Sequence, residues 1–199
     1  LVEDSAVITN SQNGTTYLGH GTGAHDNRMT VRSGASAMFA NSSGVGSLQV
    51  GSAGGDNNEV VVSNGTLTAG TLSIGDNVGG DGDGSCGNRA LFGDGAQVGC
   101  VYHLRVGVPG LCDSNELHVA GAGTLVQAKT FDFRFGIDGR DNRAYVSDGA
   151  TLWANRSTFI GCQDSDNSVV SGKGVGNVLV VTGPGTVFHS AGNSDGTFN

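Results

Sequence analysis

The feature of this sequence that most constrains its fold is a motif that recurs about every thirty residues. Six segments share the pattern Asn-x-apolar-x-apolar, and the last position is Val in five of them and Phe in the other. They begin at Asn27, Asn58, Asn88, Asn115, Asn142 and Asn177, at intervals of 31, 30, 27, 27 and 35 residues. A chain with this periodicity folds as a stack of equivalent units, because each unit buries its apolar side against its neighbours.

Each unit contains three short stretches in which apolar and polar residues alternate, which is typical of β-strands. The Asn motif is the first, and the third ends in apolar-x-apolar-Gly, as in Leu48 to Gly51. The second follows a Gly-containing turn, and its inward apolar positions are predicted at Ala37, Leu67, Val98, Leu125, Leu152 and Val187. The sequence therefore predicts an all-β fold, a parallel β-helix (β-solenoid) with three short strands per coil. We expect about six and a half coils in a single domain spanning residues 1–199.

In such a stack, equivalent residues lie above one another at a spacing of about 4.8 Å. The third and fifth residues of the Asn motif are apolar and face the core. The leading asparagine has the same parity, so we expect its amide to form an inward ladder at a corner of the coil. The outward residues that follow it are Arg28, Glu59, Arg89, Glu116 and Arg143, and their alternating charge favours pairing between neighbouring coils.

Composition excludes several classes of function. The net charge is −8 and the 10 basic residues are scattered, so nucleic acid is not an expected partner. No apolar run approaches the roughly 18 residues of a membrane helix, so no membrane insertion of this segment is expected. Four glycosylation sequons, at Asn13, Asn41, Asn64 and Asn155, are compatible with secretion.

The four cysteines are an even number without a Cys-x-x-Cys pair, which favours disulfides over a zinc site. Cys86 and Cys112 precede Asn88 and Asn115 by two and three residues, so they fall in equivalent loops of adjacent coils. We therefore predict a Cys86–Cys112 disulfide and an oxidising compartment. Cys100 and Cys162 lie on different strands and are not expected to pair with each other.

Candidate chemistry is sparse, and the sequence predicts no catalytic residue. The acidic glycine loop between residues 75 and 84 makes Asp76, Asp81 and Asp83 a candidate calcium site, because calcium prefers carboxylate and carbonyl oxygens. Arg105 and Arg134, with Asp132 close by, could bind an acidic sugar. A solvated face with one ion pair is the alternative for these three residues.

A second surface is predicted on the outward side of the second strand, where a contact stripe comprises Met38, Val126, Trp153 and Phe188. Such a stripe could contact a partner or stack on the sugar rings of surface glycans. Coverage by the loop of residues 162–176 is the alternative.

The repeat Asn-x-apolar-x-Val with its following glycine turn resembles the β-helical passenger repeats of bacterial autotransporters and related surface adhesins. The resemblance covers nearly the whole chain and implies an elongated secreted or cell-surface rod used for adhesion, matrix or display. We also expect self-association head to tail, because neither terminal segment carries a recognisable cap and the segment Val2–Ile8 matches Val146–Leu152 within the repeat. The expected function is an extracellular structural or adhesive protein. The alternative is a carbohydrate-binding or polysaccharide-degrading β-helix.

Overall fold

The computed structural model describes residues 1–10, 13–41, 43–77, 84–108, 112–161 and 174–191, and these residues form 19 β-strands in three sheets. The first sheet holds β3 (Arg28–Arg32), β6 (Glu59–Ser63), β9 (Arg89–Gly93), β12 (Glu116–Ala120), β15 (Arg143–Ser147) and β18 (Val178–Thr182). The second holds β1 (Val7–Thr9), β4 (Ser36–Phe39), β7 (Thr66–Ala69), β10 (Gln97–Cys100), β13 (Leu125–Ala128), β16 (Thr151–Ala154) and β19 (Val187–Ser190). The third holds β2 (Thr15–His20), β5 (Ser47–Ser52), β8 (Thr71–Asp76), β11 (Leu104–Val106), β14 (Phe133–Phe135) and β17 (Thr158–Ile160).

Consecutive strands enter different sheets, and each strand pairs in parallel with the strand three places later. This topology is a β-solenoid with three strands per coil, which confirms the predicted fold. Five full turns separate β3 from β18, and partial coils flank them, so the coil count is slightly lower than predicted. No helix long and apolar enough to span a membrane occurs in the described ranges.

The core lies between the three sheets and is built from the inward columns of every strand. Strands of the first sheet pair in the predicted register, so Val60 lies beside Ala90 and Val62 beside Phe92. The third sheet contributes Phe133 and Phe135, whose side chains are fully buried. Because identical positions stack, one alternating pattern repeated in each coil is enough to produce a continuous apolar core.

The second sheet departs from the predicted register in two coils. Val126, not Leu125, pairs with Val98 and is buried, and Phe188, not Val187, pairs with Leu152 and packs against the core. In both coils the preceding turn is one residue longer than the repeat spacing implied. Side chains alternate along a strand, so a shift of one residue moves every one of them to the opposite face.

The longer turns share the sequence Gly-x-Gly-Thr, at residues 121–124 and 183–186. The Thr124 hydroxyl accepts a hydrogen bond from the Gly95 N–H at 3.1 Å and donates to the Ala120 carbonyl at 2.8 Å. Thr186 makes the same two contacts in its own coil, at 3.0 and 2.7 Å. The threonine hydroxyl therefore stabilises the turn with the extra residue, and Gly-x-Gly-Thr is the sequence pattern that identifies such a turn.

Candidate functional site

The six motif asparagines stack at the corner that precedes the first sheet. In each of the five rungs, the backbone N–H and the side-chain amide of one asparagine both donate to the Oδ1 atom of the asparagine in the next coil. The N to Oδ1 distances are 2.8 to 3.1 Å and the Nδ2 to Oδ1 distances are 2.8 to 3.2 Å. The ladder comprises Asn27, Asn58, Asn88, Asn115, Asn142 and Asn177, of which the middle four are fully buried.

The glycine that ends each third strand makes room for this ladder. Gly75 has a φ of +68°, and a Cβ atom there would lie 2.3 Å from Asn115. Gly51 stands in the same relation to Asn88, at 2.2 Å. The apolar-x-apolar-Gly pattern of the repeat therefore meets two requirements at once, a left-handed backbone and space for the asparagine amide that begins the coil after next.

The ladder has a direction, because every donor belongs to the earlier coil and every acceptor to the later one. Among the described residues, the Oδ1 atom of Asn27 accepts no hydrogen bond and the backbone N–H of Asn177 donates none. One end of the stack therefore presents an acceptor, and the other end presents a donor.

The two ends of the stack also carry most of its exposed large apolar side chains. At the first end these are Leu1, Val7, Ile8 and Tyr17, and at the other they are Ile160, Val175, Val178, Val181 and Val187. Only Met38 and Val45 are exposed to a similar degree elsewhere in the described ranges. Within those ranges, β1 and β19 each have one strand neighbour, so the ends present strand edges beside apolar surface.

A second group of residues lies at the corner between the second and third sheets. Arg105 and Arg134 are paired in register on β11 and β14. Arg134 approaches Asp132 at 3.6 Å, and both side chains are largely buried. The backbone N–H of Ser157 donates to Asp132 at 3.3 Å. The two arginines and Asp132 are the group predicted from the sequence, and the structure brings all three together.

Aromatic rings surround this group, and the sequence pattern did not reveal them. The Phe131 ring lies 5.6 Å from Tyr102, and the Arg156 guanidinium lies over it at 5.3 Å from its centroid. The Arg134 guanidinium lies 5.9 Å from the centroid of Phe159. These residues occupy variable positions of the repeat. Only the fact that they fall in successive coils could have indicated that they lie close together.

His103 joins the same corner, with its ring 5.1 Å from that of Phe131. Burial, together with the charges of Arg105, Arg134 and Arg156, lowers the pKa of His103 to about 4 against the opposing effect of Asp132. The imidazole is therefore neutral at pH 7, and the positive charge of the corner comes from its arginines.

The predicted calcium loop is only partly within the described ranges. Asp76 is fully buried, and Gln49 Nε2 donates to its Oδ2 atom at 3.4 Å. Asp81 and Asp83 lie outside the described residues. No cluster of three or more His, Cys, Asp or Glu suited to a metal is found in the part of the chain that the structure describes. Calcium binding stays a prediction.

The predicted Cys86–Cys112 disulfide is not formed. Gly87 N–H donates to the Asp113 carbonyl, so Cys86 is level with Asp113, and Cys112 lies one position earlier. This offset leaves Cys112 fully buried while Cys86 is partly exposed. Burial raises the pKa of Cys112 and of Cys100 to about 12, so both thiols stay protonated at neutral pH. Cys162 lies outside the described residues.

The predicted contact stripe is wrong in two of its four positions, because Val126 and Phe188 face inward. The outward column of the second sheet instead reads Met38, Thr68, Gly99, Gln127, Trp153 and His189. Trp153 stacks on His189 with ring centroids 3.9 Å apart. Polar residues and a glycine separate Met38 from Trp153, so these side chains form no continuous apolar stripe.

The outward charges of the first sheet pair only in part as the alternation predicted. Arg28 contacts Glu59 at 3.0 Å, and Arg89 contacts Glu116 at 3.2 Å. Next to them, an outward column not anticipated from sequence contains Val61, Leu91, His118, Tyr145 and Val180. The His118 and Tyr145 rings stack at 4.7 Å.

Comparison of the chain with protein-family models, with curated proteins and with solved structures finds no match.

Proposed function

We propose that this chain is an extracellular structural or adhesive β-solenoid whose copies stack head to tail into a filament or surface rod. The observation that carries the proposal is the complementarity of its two ends. One end of the second sheet is β1 and the other is β19, so its parallel pairing can continue from one copy to the next. Both ends also combine strand edges with exposed apolar side chains.

The direction of the strands favours a head-to-tail contact over a symmetric one. Two copies of the same end would bring their strands together antiparallel, whereas β1 of one copy placed beside β19 of another continues the parallel pairing of the second sheet. The unpaired N–H and C=O groups of these edge strands are then satisfied across the junction.

The second sheet predicts the register of this junction. Val187 occupies the same column as Ser36, which pairs with Val7 of β1. A following copy that continues the sheet therefore places its Val7 beside Val187 and its Ile8 beside Phe188. Val7 is 67% exposed and Val187 is 43% exposed, so their contact buries apolar surface on both copies.

A contact between two different ends of a molecule leaves one unused end on each side of the pair. Such a heterologous contact does not close and grows by addition. Stacked copies would therefore form a rod with a repeat set by the length of one solenoid.

The extracellular location is part of the proposal. It is supported by the resemblance of the repeat to surface adhesins and by three sequon asparagines, Asn13, Asn64 and Asn155, that are exposed. Glycan attachment requires such accessible side chains.

We propose no catalytic role for the Asp132 group. Glycoside hydrolysis generally requires two carboxylates facing one bond. Asp132 is 8% exposed, and its two carboxylate oxygens already contact Ser157 and Arg134. This carboxylate is therefore used to hold the corner together.

Electron microscopy of the 199-residue chain, combined with sedimentation velocity over a range of concentrations, tests the proposal. We expect rods that lengthen with concentration. Val181→Lys places a charge on the open end of the core and is expected to shorten them, because that charge would be buried at the junction. Ser147→Lys, on the side of the neighbouring strand, is the control and is expected to leave their length unchanged. Folded monomers at all concentrations would contradict self-stacking and favour coverage of the ends by other segments.

A further inference from the structure

We propose that the corner between the second and third sheets binds an acidic saccharide, a sugar chain that bears carboxylate or sulfate groups. The site is built on Arg105, Arg134 and Arg156, which we call the arginine cluster. It lies on the side of the solenoid, so it does not depend on head-to-tail stacking.

The cluster is a local concentration of positive charge on an acidic protein. Three of the 10 Lys and Arg residues of the chain meet at this corner, although the net charge is −8. Arg105 and Arg134 lie directly opposite each other on neighbouring strands, where like charges repel. Among the described residues, Asp132 provides the carboxylate that lies beside this arginine pair. An anionic group bound at the corner would offset this repulsion.

The aromatic rings hold two of the guanidinium groups in place. Arg156 packs on Phe131 and Arg134 on Phe159, at 5.3 and 5.9 Å from the ring centroids. A guanidinium whose face lies on a ring keeps the N–H groups of its edge for hydrogen bonds, and this edge matches the two oxygens of a carboxylate or sulfate. Fixing the planes in advance lowers the entropy lost on binding.

The spacing of the cluster fits a linear chain of sugars. Arg105 and Arg134 belong to successive coils, and Arg156 precedes β17 in the next coil. Successive coils are about 4.8 Å apart, which is close to the length of one pyranose ring along an extended polysaccharide. A saccharide that runs parallel to the solenoid axis therefore meets Arg105 and Arg134 at about successive rings, with Arg156 to one side of this column over Phe131.

The neighbouring rings favour sugar over other polyanions. Tyr102 and Phe131 are partly exposed beside the arginines and offer flat apolar surface to the C–H face of a pyranose. A nucleic acid would need basic residues spread along its backbone, and the other seven Lys and Arg residues of the chain lie outside this cluster.

Isothermal titration of the 199-residue chain tests this site with four probes of matched length. These are an oligogalacturonate, a sulfated glycosaminoglycan fragment, a neutral xylo-oligosaccharide and a single-stranded oligonucleotide. We expect one or both acidic saccharides to bind, more weakly at high salt, and the neutral one not to bind. The preferred acidic probe distinguishes carboxylate from sulfate recognition.

Variants connect binding to the cluster. Arg105→Gln with Arg134→Gln is expected to weaken binding about tenfold or more, since charge-assisted hydrogen bonds are lost. Arg140→Gln with Arg143→Gln removes the same charge from exposed positions outside the corner and is the control, expected to retain affinity. Arg134 is largely buried, so Arg156→Gln, at an exposed position, supplies a variant that leaves folding intact and should weaken binding several-fold.

The proposal is overturned if neither acidic saccharide binds, or if both double variants lose affinity equally. Tighter binding of the oligonucleotide than of either saccharide would also overturn it, by assigning the cluster to a different class of ligand.

Discussion

At each corner before the first sheet, the glycine that ends a third strand leaves room for the asparagine amide that begins the coil after next. Gly75 provides the space, and Asn115 fills it with an amide that links three coils through hydrogen bonds. The ladder is buried and fully paired in the middle coils, which is the condition under which polar groups in a core stabilise it.

Gly75→Ala is expected to destabilise the fold by roughly 2–4 kcal/mol. The alanine Cβ would strain a backbone at φ +68° and displace Asn115, so both conformational strain and lost buried hydrogen bonds contribute. Gly95→Ala is the matched control, because Gly95 has φ +83° but no atom within 4 Å of its Cβ position. The control should lose only the strain, about 1–2 kcal/mol. Equal losses of unfolding free energy in urea titrations would contradict a role for the shared space.

The asparagine and glycine positions were predictable because each forms the same interaction in every coil. The arginine cluster was predictable only in part. Arg105 and Arg134 stand at equivalent positions of the third strand, but Arg156, Phe131 and His103 occupy positions that differ from coil to coil. A contact that occurs once leaves no periodic signal.

At the scale of elements, the register predicted from the sequence was wrong for β13 and β19, because of the turns that precede them. The Thr124 and Thr186 turns each add one residue, and the strands that follow shift their inward positions by one. The predicted and the observed register of β13 place opposite sets of residues toward the core. The length of the preceding turn therefore determines which side chains lie on the outward face, where the contact stripe was predicted.

A pair of adjacent substitutions tests this register. Val126→Asp is expected to unfold the chain or cost several kcal/mol, because it places a carboxylate where the side chain is fully buried. Gln127→Asp, on the next residue and the outward face, is expected to change stability by less than about 1 kcal/mol. Circular dichroism and thermal unfolding measure both. The opposite order of the two losses would restore the register first expected from the repeat.

The cysteines illustrate the same limit at a corner. Cys86 lies two residues before Asn88, whereas Cys112 lies three residues before Asn115. Because of this difference of one residue, the two cysteines stand at neighbouring positions of the repeat and not at equivalent ones. A disulfide needs Cα atoms roughly 4.4–6.8 Å apart with converging Cβ atoms, so approximate equivalence in sequence does not establish a bridge.

At the scale of the whole molecule, the central property of the solenoid is its polarity. Parallel strands and a one-way ladder give the solenoid two different ends, and the exposed apolar residues concentrate there. The three-sheet fold was predicted from the period and the strand pattern, because both are repeated in nearly every coil. The chemistry of the ends was not, since it depends on which side chains remain uncovered after folding.

The most direct measurement of this claim is a disulfide trap across the junction. Val7→Cys with Val187→Cys places two thiols in the same outward column, where head-to-tail stacking brings them to about 4.8 Å, within the range for a disulfide. Val7→Cys with Gln97→Cys is the control, because Gln97 occupies that column in the middle of the rod.

Mild oxidation of the Val7→Cys, Val187→Cys chain should give a ladder of covalent multimers on non-reducing gels. Mass spectrometry should find the peptide of residue 7 joined to that of residue 187. The control should stay largely monomeric, because its residue-7 thiol faces Val187 of the neighbouring copy and its residue-97 thiol lies away from the junction. Failure of the trap to extend beyond dimers, or equal extension in the control, would contradict head-to-tail stacking.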